Sequence, residues 1–496
     1  MTFRLVHDYP VLRPLITLDS ATDEPYYRQI YGRLRSAVAA GMLRPGDRIP
    51  SVRALAAELG LARGTVETAY SLLAAEGYVE ARGQAGTVIA AGLPARAPNA
   101  PGKPGPIIAQ AVPAAPRYPI LPEDGHAEPR GPRPFQMGIP ALDAFPRKIW
   151  ARLAARAARA TQAVDMLYPS PAGMMALRVE VARYLQLSRG LDCRPEQVFI
   201  TSGYRDSLSL ITRTLLKPGD KVWVEDPGYA PTGALLREAG MQLVGVPVDA
   251  EGMQVEHGLQ HAARARAAVV TPAHQSPTCV ALSLPRRLAL LEWAARQQAW
   301  IVEDDYDGEY RYVSRPLPAL KSLDRDDRVL YAGTFSKVLF PAIRLAYLVV
   351  PRSQVQRFED SARLFSGGAP ALMQHIVADF MAEGHFARHI QRMRRLYAQR
   401  RTLTIAGLEA VLKAHVRIDS PPGGMHLLLR LQGRRSDRVL AEKMRQHGMF
   451  SRALSECLLA PRPGVAPMIM LSFTNIDSRR QAGELGRRIL ALLEPS

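Results

Sequence analysis

Lys337 leaves a strand-like run at 329–332 through the small hydroxylated residues Thr334 and Ser336, and Arg344 follows it. An amine beside hydroxyls and a guanidinium can hold a carbonyl compound as a Schiff base next to an anionic group. A lone loop lysine is usually just solvated, so the reading needs company, and three other runs supply it. In Val198-Phe199-Ile200-Thr201-Ser202-Gly203-Tyr204-Arg205 a strand passes into a helix. The hydroxyl of Ser202 and the free N–H groups at Gly203 and Tyr204 suit an anion there. Glu225-Asp226-Pro227-Gly228-Tyr229 ends another strand on a ring that can stack on a flat heterocycle. Ile301-Val302-Glu303-Asp304-Asp305-Tyr306-Asp307 places acids after a buried run, where a carboxylate can pair with a protonated ring nitrogen. Taken alone, each run has a plainer reading: an ordinary turn, a core tyrosine, solvated acids.

These runs fall at the carboxyl ends of strand-like stretches at 197–201, 221–225, 267–271, 300–303, 329–332 and 346–350, which alternate with helical ones. That alternation predicts an α/β fold with a mostly parallel sheet, which binds ligands at the carboxyl ends of its strands. At 47% hydrophobic and 22% charged, the chain has the apolar content for a large core. No apolar run is long enough to cross a membrane. The first residues lack a signal-peptide pattern, so a cytoplasmic protein with no membrane partner is expected. The three cysteines, Cys193, Cys279 and Cys457, lie far apart and form neither a disulfide framework nor a metal pair, so no metal is expected.

Lys and Arg exceed Asp and Glu by 18. Such an excess fits an anionic partner, nucleic acid above all. The first ninety residues are nearly neutral, however, so bulk charge does not locate a reading head. Pattern does. Tyr27, Ile30, Tyr31, Leu34 and Val38 recur at helical spacing, and Gly41 stops that helix. Ser51 is an N-cap for a second helix with Val52, Leu55, Ala56 and Leu59 inward, ended by Gly60. A third helix from about Ala62 buries Val66, Ala69, Tyr70 and Leu73, and two strands follow around Arg82, Gly83 and Gly86. Helix, turn, helix and basic hairpin make a winged helix-turn-helix. Its third helix would present Arg63, Gly64 and Thr65 to base edges. Ser51 would face phosphate, Arg53 could reach phosphate or a guanine edge, and Arg82, Gly83 and Gly86 would form the wing tip. Residues 92–134 hold 12 of the 40 prolines and read as a linker. The arginine-rich stretch 385–401 reads as a solvated helical face or a dimer contact, with a second DNA-backbone contact as the alternative.

Gly41-x-Leu43-x-Pro45-Gly46-x-x-Ile49-Pro50-Ser51-x-Arg53-x-Leu55-Ala56, then Arg63-x-Thr65-Val66 and Glu76-Gly77-Tyr78, resembles the GntR family of bacterial regulators, with Ala62 where that family usually has Ser. From about Phe135 onward the chain resembles class I aminotransferases of fold type I. That resemblance implies pyridoxal phosphate held by Lys337 as a Schiff base. It implies Asp304 at the ring nitrogen, Tyr306 at the phenolic oxygen and Tyr229 stacked on the ring. Ser202, Gly203, Thr334, Ser336 and Arg344 would cradle the phosphate, and Tyr204 would also contact the cofactor. Tyr168 would reach into the partner subunit, implying a homodimer. Two positions depart from the aminotransferase pattern: Ser276 stands in the usual Asn place, and the strand 467–473 carries Met470 without the usual carboxylate-binding Arg.

The two halves together resemble the MocR/GabR regulators. Phe135-x-x-Gly138-x-Pro140 and Gly423-Gly424-Met425-His426 fit that subfamily. The expected chain has a GntR-type winged helix-turn-helix at 20–91, a linker at 92–134, and an aminotransferase-like domain at 135–496 for cofactor, dimerisation and effector. It would bind double-stranded operator DNA in the cytoplasm, at the nucleoid. It would sense a small amine or pyridoxal phosphate itself, with an active aminotransferase as the alternative. Without an Arg at Met470, α-amino acids are expected to be poor effectors, unless Arg205 or Arg452 pairs their carboxylate.

Overall fold

Helical spacing of apolar residues shapes the N-terminal part of the chain. The computed structural model describes residues 16–22, 24–82, 86–91, 131–312, 318–419, 421, 423–433, 435–462 and 464–493. The chain divides into two units, Met1–Arg117 and Tyr118–Ser496. Most of the proline-rich stretch, up to residue 130, lies outside the described residues, as does the predicted wing residue Gly83.

In the first unit, α1 (Tyr26–Ala39) buries Ile30 and Leu34. Ser51 Oγ caps α2 (Val52–Leu59) by accepting from Ala54 N at 3.2 Å, and Gly60 ends it at φ 67°. α3 (Arg63–Ala75) buries Val66, Ala69, Tyr70 and Leu73 and has no side-chain cap at Ala62. Arg63 and Gly64 therefore get no side-chain cap, as the Ala in the usual Ser place implies, and Thr65 N donates to Ala62 O at 3.0 Å. Buried Tyr70 donates its hydroxyl to Pro50 O at 2.8 Å and ties α3 to the segment before α2. β2 (Val79–Ala81) and β3 (Thr87–Ile89) form the expected antiparallel hairpin. An unexpected two-residue strand, β1 (Arg48–Ile49), adds to β3. The sequence reads as a turn there because two residues carry no period.

The second unit is built on one sheet. Its strands are β4 (Val198–Thr201), β5 (Lys221–Asp226), β6 (Gln242–Asp249), β7 (Gly252–Met253), β8 (Ala267–Val270), β9 (Trp300–Asp305), β10 (Val329–Thr334) and β11 (Ala346–Val349). Their order is β4-β11-β10-β9-β8-β5-β6-β7. Neighbours from β10 across to β6 are parallel. β11 is antiparallel to both β10 and β4, so β4 points the same way as β10. β7 closes the other edge antiparallel. All six predicted strands are present. β6 escapes the sequence reading because Gly245 and Pro247 interrupt its apolar run, as an outlying strand permits.

A second, antiparallel sheet follows: β12 (Val416–Asp419), β13 (His426–Leu431), β14 (Arg452–Ala453) and β15 (Met468–Ser472), in the order β12-β13-β15-β14. The helices His385–Leu412 and Arg479–Leu493 share its core through Tyr397, Leu408, Leu485 and Ile489. The arginine-rich start of the first of these helices is only partly the solvated face expected. Arg388, Arg392 and Arg395 are exposed. Arg400 is buried and paired with Asp143. Arg394 donates to Glu309 O at 2.6 Å, and Arg401 to Pro421 O at 2.5 Å. Those three pin the helix to its neighbours, which charge counting along one strip of sequence does not reveal.

Gly333 in β10 has no room for a side chain, since a Cβ there would fall 2.3 Å from the ring of Tyr347. Gly333→Ala is expected to destabilise the second unit by about 1–3 kcal/mol through overpacking. A lowered urea midpoint with an unchanged slope would show it; an unchanged midpoint would show that Tyr347 can move aside.

Candidate functional site

The carboxyl ends of β4, β5, β8, β9 and β10 open on one edge of the sheet, since all five strands point the same way. They bound a cavity of about 410 Å³. Its lining includes Gly203, Tyr204, Tyr229, Ser276, Asp304, Tyr306, Thr334, Ser336, Lys337 and Arg344, ten of the residues expected to bind the cofactor. Ser202 is not among them, and its N–H is donated to Asp206 at 2.9 Å. Tyr168 lies outside the cavity of its own chain and is fully exposed.

Alternation at the end of β9 explains the placement of the acids. Asp305 points to the far side of the sheet, where Arg189 Nε at 2.7 Å and the Tyr331 hydroxyl at 2.6 Å hold it. Its neighbour Asp304 is thereby turned to the cavity. Asp304 is 7% exposed, yet no described residue donates a hydrogen bond to its carboxylate. Burial, and then the charges of Asp305, Glu225 and Asp307, hold its carboxyl well above the usual range. Lys337 donates to Gly138 O at 2.9 Å. A Cβ on Gly138 would fall 2.3 Å from that amine, so the glycine makes room for it. Burial pushes the Lys337 amine below its ordinary value, which enlarges the neutral, nucleophilic fraction.

The loop after β8 presents Ser276. Buried Glu225 accepts from Thr271 N at 3.2 Å, Thr271 Oγ1 at 2.6 Å and Gln275 Nε2 at 3.0 Å, which fixes that loop. Burial raises the Glu225 carboxyl to about 7. Tyr306 is held by His274 Nδ1 at 3.0 Å, and its hydroxyl is pushed up by burial and then by Asp307. Ser276 also contributes a hydrogen bond to that hydroxyl.

Three arginines line the cavity: Arg205, Arg344 and Arg452. Among the described residues none of them has a carboxylate partner. Arg344 sits against Gly203, where a Cβ would come within 3.2 Å of its guanidinium. Arg452 lies close enough to Lys337, Tyr229 and Cys457 for its charge to act on all three. Sequence reasoning left Gly138, Asp307 and His426 without roles and named Arg452 only as an exception. A second cavity of about 520 Å³ shares Tyr204, Arg205, Tyr229, Asp304 and Cys457 with the first.

These residues fit pyridoxal phosphate. Arg344, Gly203 and the hydroxyls of Thr334 and Ser336 suit its phosphate. The unbonded Asp304 carboxylate lacks only a cationic partner, and the cavity is of ligand size.

In the first unit, Arg53, Arg63, Gly64, Arg82 and Gly86 are exposed, and Thr65 is half-buried. Arg63 and Gly64 open α3, where a recognition helix meets base edges. Ser51 Oγ is engaged as the cap of α2, and Arg82 pairs with Glu80 at 3.2 Å. No helix among the described residues is long and apolar enough to cross a membrane.

Comparison with known proteins matches both units. Residues 26–89 match the gntR family of bacterial regulatory proteins. Residues 140–464 match aminotransferase class I and II. The chain is 38% identical over 471 residues to the probable rhizopine catabolism regulatory protein MocR of Rhizobium meliloti, covering 94% of this chain and 93% of that one. It is 35% identical over 402 residues to the pyridoxine biosynthesis transcriptional regulator PdxR of Corynebacterium glutamicum, covering 81% and 82%. Kynurenine aminotransferase of Pyrococcus horikoshii superposes with a TM-score of 0.65 at 26% identity, over 73% of this chain and 91% of that one. A winged helix-turn-helix followed by an aminotransferase fold, matched along nearly its whole length by such regulators, places the chain in the MocR/GabR family of transcriptional regulators.

Proposed function

We propose that this transcriptional regulator binds operator DNA as a homodimer and is governed by pyridoxal phosphate and a small amine, or by pyridoxal phosphate alone. A single observation carries the reading: one enclosed lysine amine shares its cavity with an unbonded buried carboxylate and unpaired arginines. When bound, the cofactor would supply a carbonyl that reacts with amines and a ring that draws electrons. The protein's own residues do the rest. Asp304 would hold a proton on the ring nitrogen, and Tyr229 would cover one ring face. Tyr306, itself held by His274 and Ser276, would orient the phenolic oxygen. Arg344, Ser336, Thr334, Gly203 and Ser202 would hold the phosphate, and the fully exposed Tyr168 would reach the partner subunit's cavity. Lys337 would be the covalent anchor, which an incoming amine displaces.

For a ligand to regulate, it must bind one arrangement of the dimer better than another. Such a regulator would work in the cytoplasm, on the nucleoid. The domain limits follow as proposed from sequence: 20–91 reading, 92–134 linking, 135–496 sensing. The relative named for pyridoxine biosynthesis supports a vitamin B6 ligand, and the relative named for rhizopine catabolism supports a small organic effector.

Arg63→Ala is expected to weaken operator binding by about 1–3 kcal/mol and to relax sequence choice, because it opens the recognition helix. Arg82→Ala should instead weaken all DNA evenly and lower the salt slope by about one, since a wing arginine meets phosphate. Its surface pair with Glu80 contributes little and yields readily to a phosphate. Binding isotherms on operator and random duplex at several salt concentrations separate the two. Equal loss on both duplexes for Arg63→Ala would remove it from base reading.

Asp304→Asn should act in opposite directions on the two states. The folded carboxyl titrates above its unfolded value, so its ionisation opposes folding as pH rises past the ordinary carboxylate range. The amide removes that penalty, and the cofactor-free protein should melt higher at pH 8. It cannot pair with a protonated ring nitrogen, so pyridoxal phosphate should bind more weakly. Unchanged cofactor affinity would argue against a ring contact.

A further inference from the structure

The wall behind Tyr306 carries a second group of reactive side chains. Cys279 Sγ lies 3.0 Å from Nε2 of His426, and that nitrogen is 3.1 Å from Pro277 O. His274 stands on the other side, its ring centroid 5.8 Å from that of His426. Nδ1 of His274 is 3.1 Å from Asp307 Oδ1, so the carboxylate orients the imidazole. Among the described residues its Nε2 is buried without a hydrogen-bond partner, and so is Oδ2 of Asp307. Cys279, His274, His426 and Asp307 are all buried. An acid orienting an imidazole beside a thiol is the arrangement that activates a sulfur nucleophile.

Two backbone features fit a site built for this cluster. Cys279 has φ 66°, a left-handed conformation that non-glycine residues adopt uncommonly and that clusters at functional sites. Gly424 lies so close to His274 that a Cβ would fall 1.9 Å from its Cε1. Burial alone would raise the Cys279 thiol, but His426 and then His274 outweigh it and bring it down to about 6. Burial instead raises Cys193 to about 11 and Cys457 to about 12. The cluster is reached from outside the lysine cavity: Cys279, His274 and Asp307 line a separate cleft of about 790 Å³. Asp307 and His426 also line the lysine cavity.

We propose that Cys279 is a modification site, a thiolate held between His274 and His426 that small hydroperoxides oxidise through this cleft. The sulfur attacks the terminal peroxide oxygen, the S–O bond forms and the O–O bond breaks. Sulfur loses two electrons and becomes a sulfenic acid. The released hydroxide, or alkoxide where the peroxide is organic, takes a proton from the neighbouring imidazolium and leaves as water or the alcohol. Oxidation removes the charge that both imidazoles face. Because His274 also holds Tyr306, the change reaches the lysine cavity. The assignment rests on the thiol cluster and does not depend on what that cavity binds.

The test is iodoacetamide labelling of the full-length protein between pH 6 and 9, with peptide mass mapping of all three cysteines. At pH 7, Cys279 should react at least about tenfold faster than Cys193 and Cys457, with little slowing between pH 8.5 and 7. Brief hydrogen peroxide should protect Cys279, and dithiothreitol should restore its labelling. His426→Gln should slow the reaction about tenfold. Where that variant does not fold, the pH profile of the wild-type protein decides alone. Slower labelling of Cys279 than of the other two, a rate that falls tenfold per pH unit below pH 8.5, or no protection by peroxide would each overturn the proposal.

Discussion

Lys337→Ala is expected to abolish covalent capture of pyridoxal phosphate. Borohydride reduction of wild-type protein mixed with the cofactor should fix a pyridoxyl group on one peptide, the one containing Lys337; in the variant no peptide should carry it. The geometry singles out this half-buried lysine over the buried Lys321, whose amine is likewise lowered by burial. Lys321 donates to Val329 O at 2.5 Å and does not line the lysine cavity. Lys217 is exposed and lacks that activation. The variant should fold, since among the described residues the side chain bonds only to Gly138 O. It should still hold pyridoxal phosphate reversibly through Arg344 and Asp304, seen as quenching of intrinsic fluorescence. Any operator response that depends on amine exchange should disappear. A pyridoxyl label on Lys321 or Lys217 would remove Lys337 from the centre of the site.

Much of this site was legible because each part lies within a few residues of a strand end. Thr334, Ser336 and Lys337 follow β10, and Asp304 and Tyr306 straddle the end of β9. The helices of the reading head were legible for a similar reason. Ser51 and Gly60 are local caps, and the inward faces of α2 and α3 follow the helical period. What sequence could not supply is pairing between distant segments. β14 is two residues long and carries no periodicity of its own. The acid pair formed by Asp143 with Arg400, and the contact of His426 with Cys279, likewise join residues more than 140 positions apart. No local pattern announces them.

That limit bears directly on the effector. From sequence, Met470 on β15 offers a thioether where aminotransferases carry an arginine, and common α-amino acids look like poor ligands. The fold alters the balance, because β14 pairs antiparallel with β15 and sets Arg452 directly opposite Met470. Both residues line the lysine cavity, and Arg452 has no carboxylate partner among the described residues. The guanidinium missing from one strand is offered by its neighbour, the exception the sequence reading had allowed.

Arg452→Gln is therefore expected to discriminate between effectors by their acid group. A carboxylate entering this partly enclosed cavity loses hydration and needs a paired cation, which a guanidinium supplies with two parallel bonds. Removing that partner should cost about 2–4 kcal/mol for an amine bearing a carboxylate, or roughly 30- to 1000-fold in Kd. An amine without an acid group should lose little, and pyridoxal phosphate should keep its affinity, since Arg344 holds the other end. The measurement is titration of cofactor-loaded wild-type and variant protein with alanine, glutamate, γ-aminobutyrate, taurine and a simple diamine, following the cofactor absorbance and operator affinity together. Arg205→Gln run in parallel separates the two arginines. If it carries the loss and Arg452→Gln does not, the acid group lies on the Tyr229 side of the cavity. Equal weakening of diamine and amino acid by Arg452→Gln would mean that this residue shapes the cavity and does not read a carboxylate. The sequence expectation against α-amino acids would then stand.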